Sequence, residues 1–208
     1  MNKRHNVRGL YAITQDVDDD NHLAGQARLV LQGGASVLQY RSKSSDGRLK
    51  YRQGRLLKTL CREFGALFIV NDDLDLTIKL KADGVHLGHN DMTVRQARVA
   101  LGANCIIGAS CYNSLVIAHK AKQDGADYLA FGTVFPSLTK PGAVHAPLEL
   151  FAQARVLERP LVAIGGIHAG NAQSVIQAGA DALAVINGLF AQPDPTEAAS
   201  AIARLFTI

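Results

Sequence analysis

Short, almost wholly apolar runs alternate along this chain with longer stretches in which apolar residues recur every three or four positions. The short runs are Leu10–Thr14, Ser36–Tyr40, Leu67–Asn71, Gly84–Leu87, Cys105–Ala109, Tyr128–Phe131, Leu161–Ile164 and Ala182–Ile186. Several lack the in–out alternation of a half-exposed sheet, which is expected of parallel strands covered on both faces. Between and after them the helical period predicts helices over Leu23–Gln32, Gly47–Phe64, Leu74–Lys81, Val94–Leu101, Ser114–Gln123, Leu148–Leu157, Gly170–Gln177 and Pro195–Phe206. Thr93 suits the cap of the fourth helix, and Pro147 and Pro195 suit first-turn positions.

A repeat sharpens the picture. Gly33-Gly34-Ala35-Ser36-Val37-Leu38 recurs as Lys81-Ala82-Asp83-Gly84-Val85-His86, Gly125-Ala126-Asp127-Tyr128-Leu129-Ala130 and Gly179-Ala180-Asp181-Ala182-Leu183-Ala184. Glycine supplies the positive φ that ends a helix, and Ala-Asp turns the chain into the next strand. The copies head the second, fourth, sixth and eighth strands. Eight strand–helix units predict an α/β protein with a single closed (β/α)8 (TIM) barrel, and 208 residues leave room only for short loops. No linker-like composition divides the chain, so one domain is expected over residues 1–208, with roughly the first nine as an N-terminal lead.

Composition narrows the function. With 48% apolar and 19% charged residues the chain can build a large core without disulfides or structural metal. No run reaches the ~18 apolar residues of a membrane span, and Met1–Asn21 has no apolar core like that of a signal peptide. A soluble, cytoplasmic protein is expected. Twenty-two basic against eighteen acidic residues give a net charge of +4, and there is no Trp to stack on bases, which argues against a nucleic-acid surface. Arg41, Lys43, Arg48, Lys50, Arg52 and Arg55 instead suit a small anion. The three cysteines lack zinc spacing and read as reduced thiols.

In such a barrel the active site lies at the C-terminal ends of the strands. Gln39, Arg41 and Lys43 follow the second strand on one side of an alternating stretch. Asn71-Asp72 follows the third, Gly88-His89-Asn90-Asp91 the fourth, and Ser110 the fifth. The sixth opens into the longest loop, Gly132 to Lys140. Gly165-Gly166 ends the seventh strand and Ile186-Asn187-Gly188 the eighth. Arg41, Lys43 and Lys140 would converge on a polyanion such as a diphosphate. Asp72 and Asp91 would repel each other unless a cation lay between them, and beside a diphosphate that cation is best Mg²⁺. The bare amides of the seventh and eighth loops suit a monophosphate.

Each residue alone has a plainer reading. Arg41 and Lys43 suit a solvated surface, Asp72 and Asp91 helix starts, the glycines chain turns, and Ser137 and Thr139 ordinary loop hydroxyls. His86, inside a strand, reads as a hydrogen-bonded core residue, while His89 and His168 border the site. Joint placement on one face separates the functional reading from these.

The ordered set Gln39-Tyr40-Arg41-Ser42-Lys43, Asn71-Asp72, Gly84-Val85-His86-Leu87-Gly88 with Asp91, Gly108-Ala109-Ser110, Phe135-Pro136-Ser137-Leu138-Thr139-Lys140 and Gly165-Gly166-Ile167 resembles the thiamine-phosphate synthase (pyrophosphorylase) family, from about Gly9 to the C-terminus. The resemblance implies a transferase that joins 4-amino-5-hydroxymethyl-2-methylpyrimidine diphosphate to a thiazole phosphate, releasing diphosphate. By that resemblance Gln39, Tyr40, Arg41, Ser42, Lys43, Asn71, Ser110 and Lys140 hold the pyrimidine substrate, with Lys140, Arg41 and Ser110 catalytic. Ser137, Leu138, Thr139, Gly166, Ile186 and Asn187 hold the thiazole phosphate, and Asp72 and Asp91 carry one Mg²⁺ per subunit. The partners implied are two small phosphate-bearing substrates, with no nucleic acid and no membrane; a homo-oligomer stays open. Ser137 stands where the family commonly has Thr, keeping a hydroxyl, and Asn187 where many members have Ser. A thiazole tautomerase on the same barrel would need the monophosphate site but neither the diphosphate clamp nor the paired carboxylates. A ligand-binding regulator would be expected to have lost charged site residues. A sugar-phosphate isomerase would have no use for metal and diphosphate together.

Overall fold

A computed structural model describes residues 7–88, 91–136 and 144–206. Eight parallel strands form a closed barrel in sequence order, β1 pairing with β8. They are β1 (Gly9–Ile13), β2 (Val37–Tyr40), β3 (Leu67–Asn71), β4 (Gly84–Leu87), β5 (Ile106–Tyr112), β6 (Tyr128–Gly132), β7 (Leu161–Ile164) and β8 (Ala182–Val185). The helices are α1 (Asp20–Gln32), α2 (Gly47–Phe64), α3 (Leu74–Leu80), α4 (Val94–Leu101), α5 (Leu115–Gln123), α6 (Glu149–Ala154), α7 (Ala172–Gln177), α8 (Asn187–Phe190) and α9 (Pro195–Ala203). Among the described residues no helix is long and apolar enough to cross a membrane.

Side-chain caps set most helix starts. α1 begins three residues before the predicted Leu23, because the Asp19 side chain accepts from the His22 amide at 2.9 Å. Thr93 and Gln96 form a reciprocal capping box on α4, and Asp194 caps α9 with Pro195 in its first turn. Pro147 falls short of its expected place: α6 starts at Glu149 without a side-chain cap. The unforeseen α8 is too short for periodicity to reveal. β5 runs to Tyr112, past the predicted end at Ala109, with a register shift between Ser110 and Tyr112.

The strands have two buried faces, as their apolar runs require. Leu38, Phe68, Val70, Leu129, Phe131 and Leu183 pack outward in one large core with the helices. Tyr11, Ile13, Val37, Ile69, Ile106, Tyr128 and Val162 fill the barrel interior. Val7 joins that interior cluster and is fully buried, so the N-terminal lead is part of the core by its seventh residue.

The repeat does more than turn the chain. Gly34, Gly125 and Gly179 adopt positive φ, and Lys81 does the same without glycine at φ 48°. Each repeated aspartate then reaches across to the preceding strand. Asp83 accepts from the Phe68 amide at 3.0 Å, Asp127 from Ile107 at 2.8 Å and Asp181 from Leu161 at 2.9 Å. The positive φ at Gly34 shifts the first copy by one residue relative to its sequence alignment, so that Ser36 takes the aspartate's place, its hydroxyl donating to the Leu10 carbonyl at 3.2 Å. All four side chains staple neighbouring strand pairs at the N-terminal rim, and the three aspartates satisfy edge amides that would otherwise be buried unpaired.

Candidate active site

Alternation carries inward positions up to the mouth. The register pairs Ile13 with Gln39, Asn71 with His86, His86 with Gly108, and Gly108 with Tyr128, so polar residues on successive strands form an inward tier. Gln39 is buried at 3% exposure and donates from Nε2 to the Tyr11 hydroxyl at 2.8 Å. Above it, the Arg41 amide donates to Thr14 Oγ1 at 3.0 Å and the Lys43 amide to Asp16 Oδ1 at 2.9 Å. Thr14 and Asp16, which sequence reading passed over, thereby fasten the basic segment to the end of β1. Asp16 signals only polarity just past a strand, and Thr14 reads in sequence as the last residue of the first strand, which ends at Ile13.

The third and fourth loops bring the carboxylates together. Asp72 does not cap α3; the Asp73 side chain does, accepting from the Leu76 amide at 2.9 Å. Asp73 also pairs with Lys50 Nζ at 2.6 Å. Asp72 is left to the mouth, on a left-handed backbone at φ 61°, and accepts from Asn71 Nδ2 at 2.5 Å. Its carboxyl meets that of Asp91. Burial first, then contact with Asp91, pushes Asp72 up to about 6, and Asn71 and the nearby Arg41 charge pull the other way. Asp91 is anchored by the Gly88 amide at 2.6 Å, while Thr93, not Asp91, starts α4. Two adjoining carboxylates form an oxygen donor set suited to a hard cation such as Mg²⁺, and the Arg41 guanidinium acts on Asp72 from nearby. Among the described residues no third His, Cys, Asp or Glu joins them.

The remaining predicted residues divide. Ser110 projects from β5 at its irregularity, a device that re-aims side chains at barrel rims, and lies 2.9 Å from His86 Nε2. Gly166, at φ 61°, packs so closely on the sixth loop that a Cβ would stand 2.5 Å from the Pro136 carbonyl oxygen. Gly188 presses equally on the seventh: its Cβ would lie 2.1 Å from the Ile167 oxygen. The loop after β7 and the start of α8, with Ile186 and Asn187, are thus held against each other. Asn171, which sequence reading missed, braces this region by donating to the Gly166 carbonyl and accepting from the His168 amide, both at 2.9 Å.

Tyr40 and Ser42 face the other way. As an even position beside inward Gln39, Tyr40 turns to the helix layer, where its hydroxyl donates to Gln53 Oε1 of α2 at 2.8 Å. Gln53 is itself fully buried and donates to the Val17 carbonyl at 3.0 Å. Ser42 hydrogen-bonds toward the Tyr40 hydroxyl and accepts from the Ser44 amide. The side chains of Tyr40 and Ser42 are thus engaged on the helix side of the segment, and it is Gln39 beside them that faces the barrel axis. Ser137, Leu138, Thr139 and Lys140, like His89, lie outside the described residues.

A closed parallel barrel with a guanidinium, paired carboxylates and glycine-lined amides at its strand ends is the architecture of the (β/α)8 enzymes. Residues 10–189 match the family model described as thiamine monophosphate synthase. A thiamine-phosphate synthase of Chromobacterium violaceum is 54% identical over 200 residues, covering 96% of this chain and 97% of its own. One from Thioalkalivibrio sulfidiphilus is 52% identical over 204 residues, covering 97% of each. The solved thiamine phosphate pyrophosphorylase of Pyrococcus furiosus superposes with a TM-score of 0.87 at 36% identity, over 99% of this chain and 98% of its own. The chain belongs to the thiamine monophosphate synthase family, and its activity is that of a thiamine-phosphate synthase, a transferase.

Proposed function

We propose that this enzyme condenses 4-amino-5-hydroxymethyl-2-methylpyrimidine diphosphate with a thiazole monophosphate, giving thiamine monophosphate and diphosphate, with Mg²⁺ held by Asp72 and Asp91. The observation that carries the reading is the meeting of Asp72 and Asp91, from different loops, within the field of Arg41. Two like charges in contact are explained by a cation that binds between them, and the guanidinium by the anion that this cation accompanies. When bound, Mg²⁺ would neutralise charge on the departing diphosphate.

The chain's own residues supply the rest. Arg41 and Lys43, with Lys140 from the sixth loop, hold the diphosphate oxygens and oppose the charge that grows as it leaves. Gln39, Asn71 and Ser110 orient the pyrimidine over the barrel axis. Gly166 and the backbone of Ile186-Asn187, with Ser137, Leu138 and Thr139, hold the thiazole phosphate so that its ring nitrogen faces the methylene carbon. The C–O bond breaks first, the electron-rich aminopyrimidine spreads the resulting positive charge, and the thiazole nitrogen captures it. No covalent nucleophile is required: Cys61 and Cys111 are buried in the helix-side core, where burial pushes both thiols up to about 12.

The test is diphosphate release on mixing both substrates. Equal amounts of diphosphate and thiamine monophosphate, formed with Mg²⁺ and not after its chelation, are the expected result. Release from the pyrimidine diphosphate with no coupled product, or full turnover without a divalent cation, would overturn the proposal.

A further inference from the structure

A row of five side chains crosses the barrel interior beneath the mouth. Gln39 Nε2 donates to the Tyr11 hydroxyl at 2.8 Å. The Tyr11 and Tyr128 hydroxyls are 2.8 Å apart. The Tyr128 hydroxyl lies 2.9 Å from His86 Nδ1, and His86 Nε2 lies 2.9 Å from Ser110 Oγ. The row joins β2, β1, β6, β4 and β5, and its two ends are residues assigned above to the pyrimidine substrate.

Its polarity follows from proton counting. Tyr11 is 1% exposed and Tyr128 fully buried, and burial pushes both phenols well above the ordinary tyrosine range, so each keeps its single proton. Tyr11 already accepts from Gln39. Among the described residues its other polar neighbour is Tyr128, so the Tyr11 proton must be donated there. The Tyr128 proton then goes to His86 Nδ1. That nitrogen is therefore an acceptor, the imidazole is neutral, and its proton sits on Nε2, donated to Ser110 Oγ. The reverse polarity would leave the Tyr11 proton without an acceptor inside the barrel core, where unmade hydrogen bonds are expensive.

The row is built into the barrel. Tyr128 reaches His86 by passing over Gly108, where a Cβ would stand 1.9 Å from the tyrosine Cζ. The His86 and Tyr128 rings stack at 5.6 Å with planes 20° apart, and Tyr11 meets Tyr128 edge-on at 6.0 Å. Neither ring can rotate away without displacing its neighbour.

We propose that Tyr11, Tyr128 and His86 are positioning residues that fix Ser110 as a hydrogen-bond donor at the mouth. With one of its two lone pairs engaged by His86 Nε2–H, the serine keeps its proton for the ligand. Ser110 is therefore able to donate to an acceptor on the ligand, a pyrimidine ring nitrogen or a diphosphate oxygen. This rests on the assignment of Ser110 to the pyrimidine substrate.

Two measurements separate the row from that assignment. The first is ¹⁵N NMR of the imidazoles in the full-length protein without substrate, with His86 assigned by comparison with His86→Gln. A protonated Nε2 and bare Nδ1 are expected, giving way to mixed tautomers in Tyr128→Phe. A protonated Nδ1 in the unaltered protein, or an unchanged tautomer in the variant, overturns the row. The second is a kinetic cycle of Tyr128→Phe, Ser110→Ala and the double variant. Tyr128→Phe is expected to lower turnover about tenfold and to add nothing in the Ser110→Ala background. Additive losses would show that Tyr128 does not act through Ser110. Full turnover in Ser110→Ala would refute the substrate contact instead, and the tautomer would still decide the row.

Discussion

Asp72 and Asp91 stand carboxyl to carboxyl at the barrel mouth, and burial together with that contact moves Asp72 from 3.8 to about 6. At about 1.4 kcal/mol per tenfold change in proton affinity, this corresponds to roughly 3 kcal/mol for an ionised Asp72 shielded from water. The side chain is open to solvent at the mouth, and screening reduces the cost to about 1 kcal/mol. Asp72→Asn removes the charge, keeps an acceptor for Asn71, and places at φ 61° a residue that tolerates left-handed backbone. The metal-free variant should therefore be more stable than the parent, by roughly 2–4 °C in Tm for a chain of this size. The folded-state pKa is raised, so the penalty is absent below the unfolded value of 3.8 and complete once pH passes about 6. The gain should be full near neutral pH and gone at about pH 4. Thermal melts at both pH values, with and without Mg²⁺, are the assay; Mg²⁺ should raise the Tm of the parent and leave that of the variant unmoved. A variant that melts lower than the parent without metal at neutral pH, or that Mg²⁺ stabilises just as well, would refute the reasoning.

Further outcomes follow from other parts of the molecule. Lys140→Ala should lower turnover ~10²-fold or more in steady-state diphosphate release, the size of loss seen when one preorganised charge-stabilising group is removed. Asp127 bonds both the Ile107 amide and Arg98, at 2.8 and 2.5 Å, with its side chain only 11% exposed. Asp127→Ala leaves the Ile107 amide without its acceptor and Arg98 without its counter-charge, although Arg98 keeps its bonds to the Gly102, Cys105 and Gly125 carbonyls; it should cost about 3 kcal/mol, read as a Tm drop of roughly 6–12 °C in calorimetry. Cys61 and Cys111, their thiols held protonated by burial, should react with a thiol reagent only after denaturant is added; rapid labelling of either in the native protein would contradict their placement.

The barrel was legible because its evidence is periodic and repeated: continuous apolar strands, glycine stops and an Ala-Asp signature recur along the chain. Arg41, Asp72 and Asp91 were legible because a barrel converts the end of a strand into a place on one face. Direction along a strand was harder. In Gln39-Tyr40-Arg41-Ser42-Lys43 every residue is polar or amphipathic, so composition does not reveal that Tyr40 and Ser42 turn outward. Gln53, thirteen residues beyond Tyr40, settles it by offering a buried acceptor beneath α2. Tyr11 and Tyr128 were invisible for the complementary reason: in strands buried on both faces an aromatic residue reads alike whether it meets a helix or the barrel axis. His86 read correctly as hydrogen-bonded, although it is part-exposed and not in the core. Its partners, however, come from strands 24 and 42 residues away, and only the closed ring defines that proximity.

The aspartate staples occupy the rim opposite the mouth, and so the two ends of the barrel answer to different demands. Beneath, three carboxylates and a serine hold strands in pairs regardless of what is bound above. The upper loops are thus free to diverge, and a designer could exchange them to admit other heterocycles while the hoop underneath stays shut. Warming should likewise silence turnover before it opens the ring.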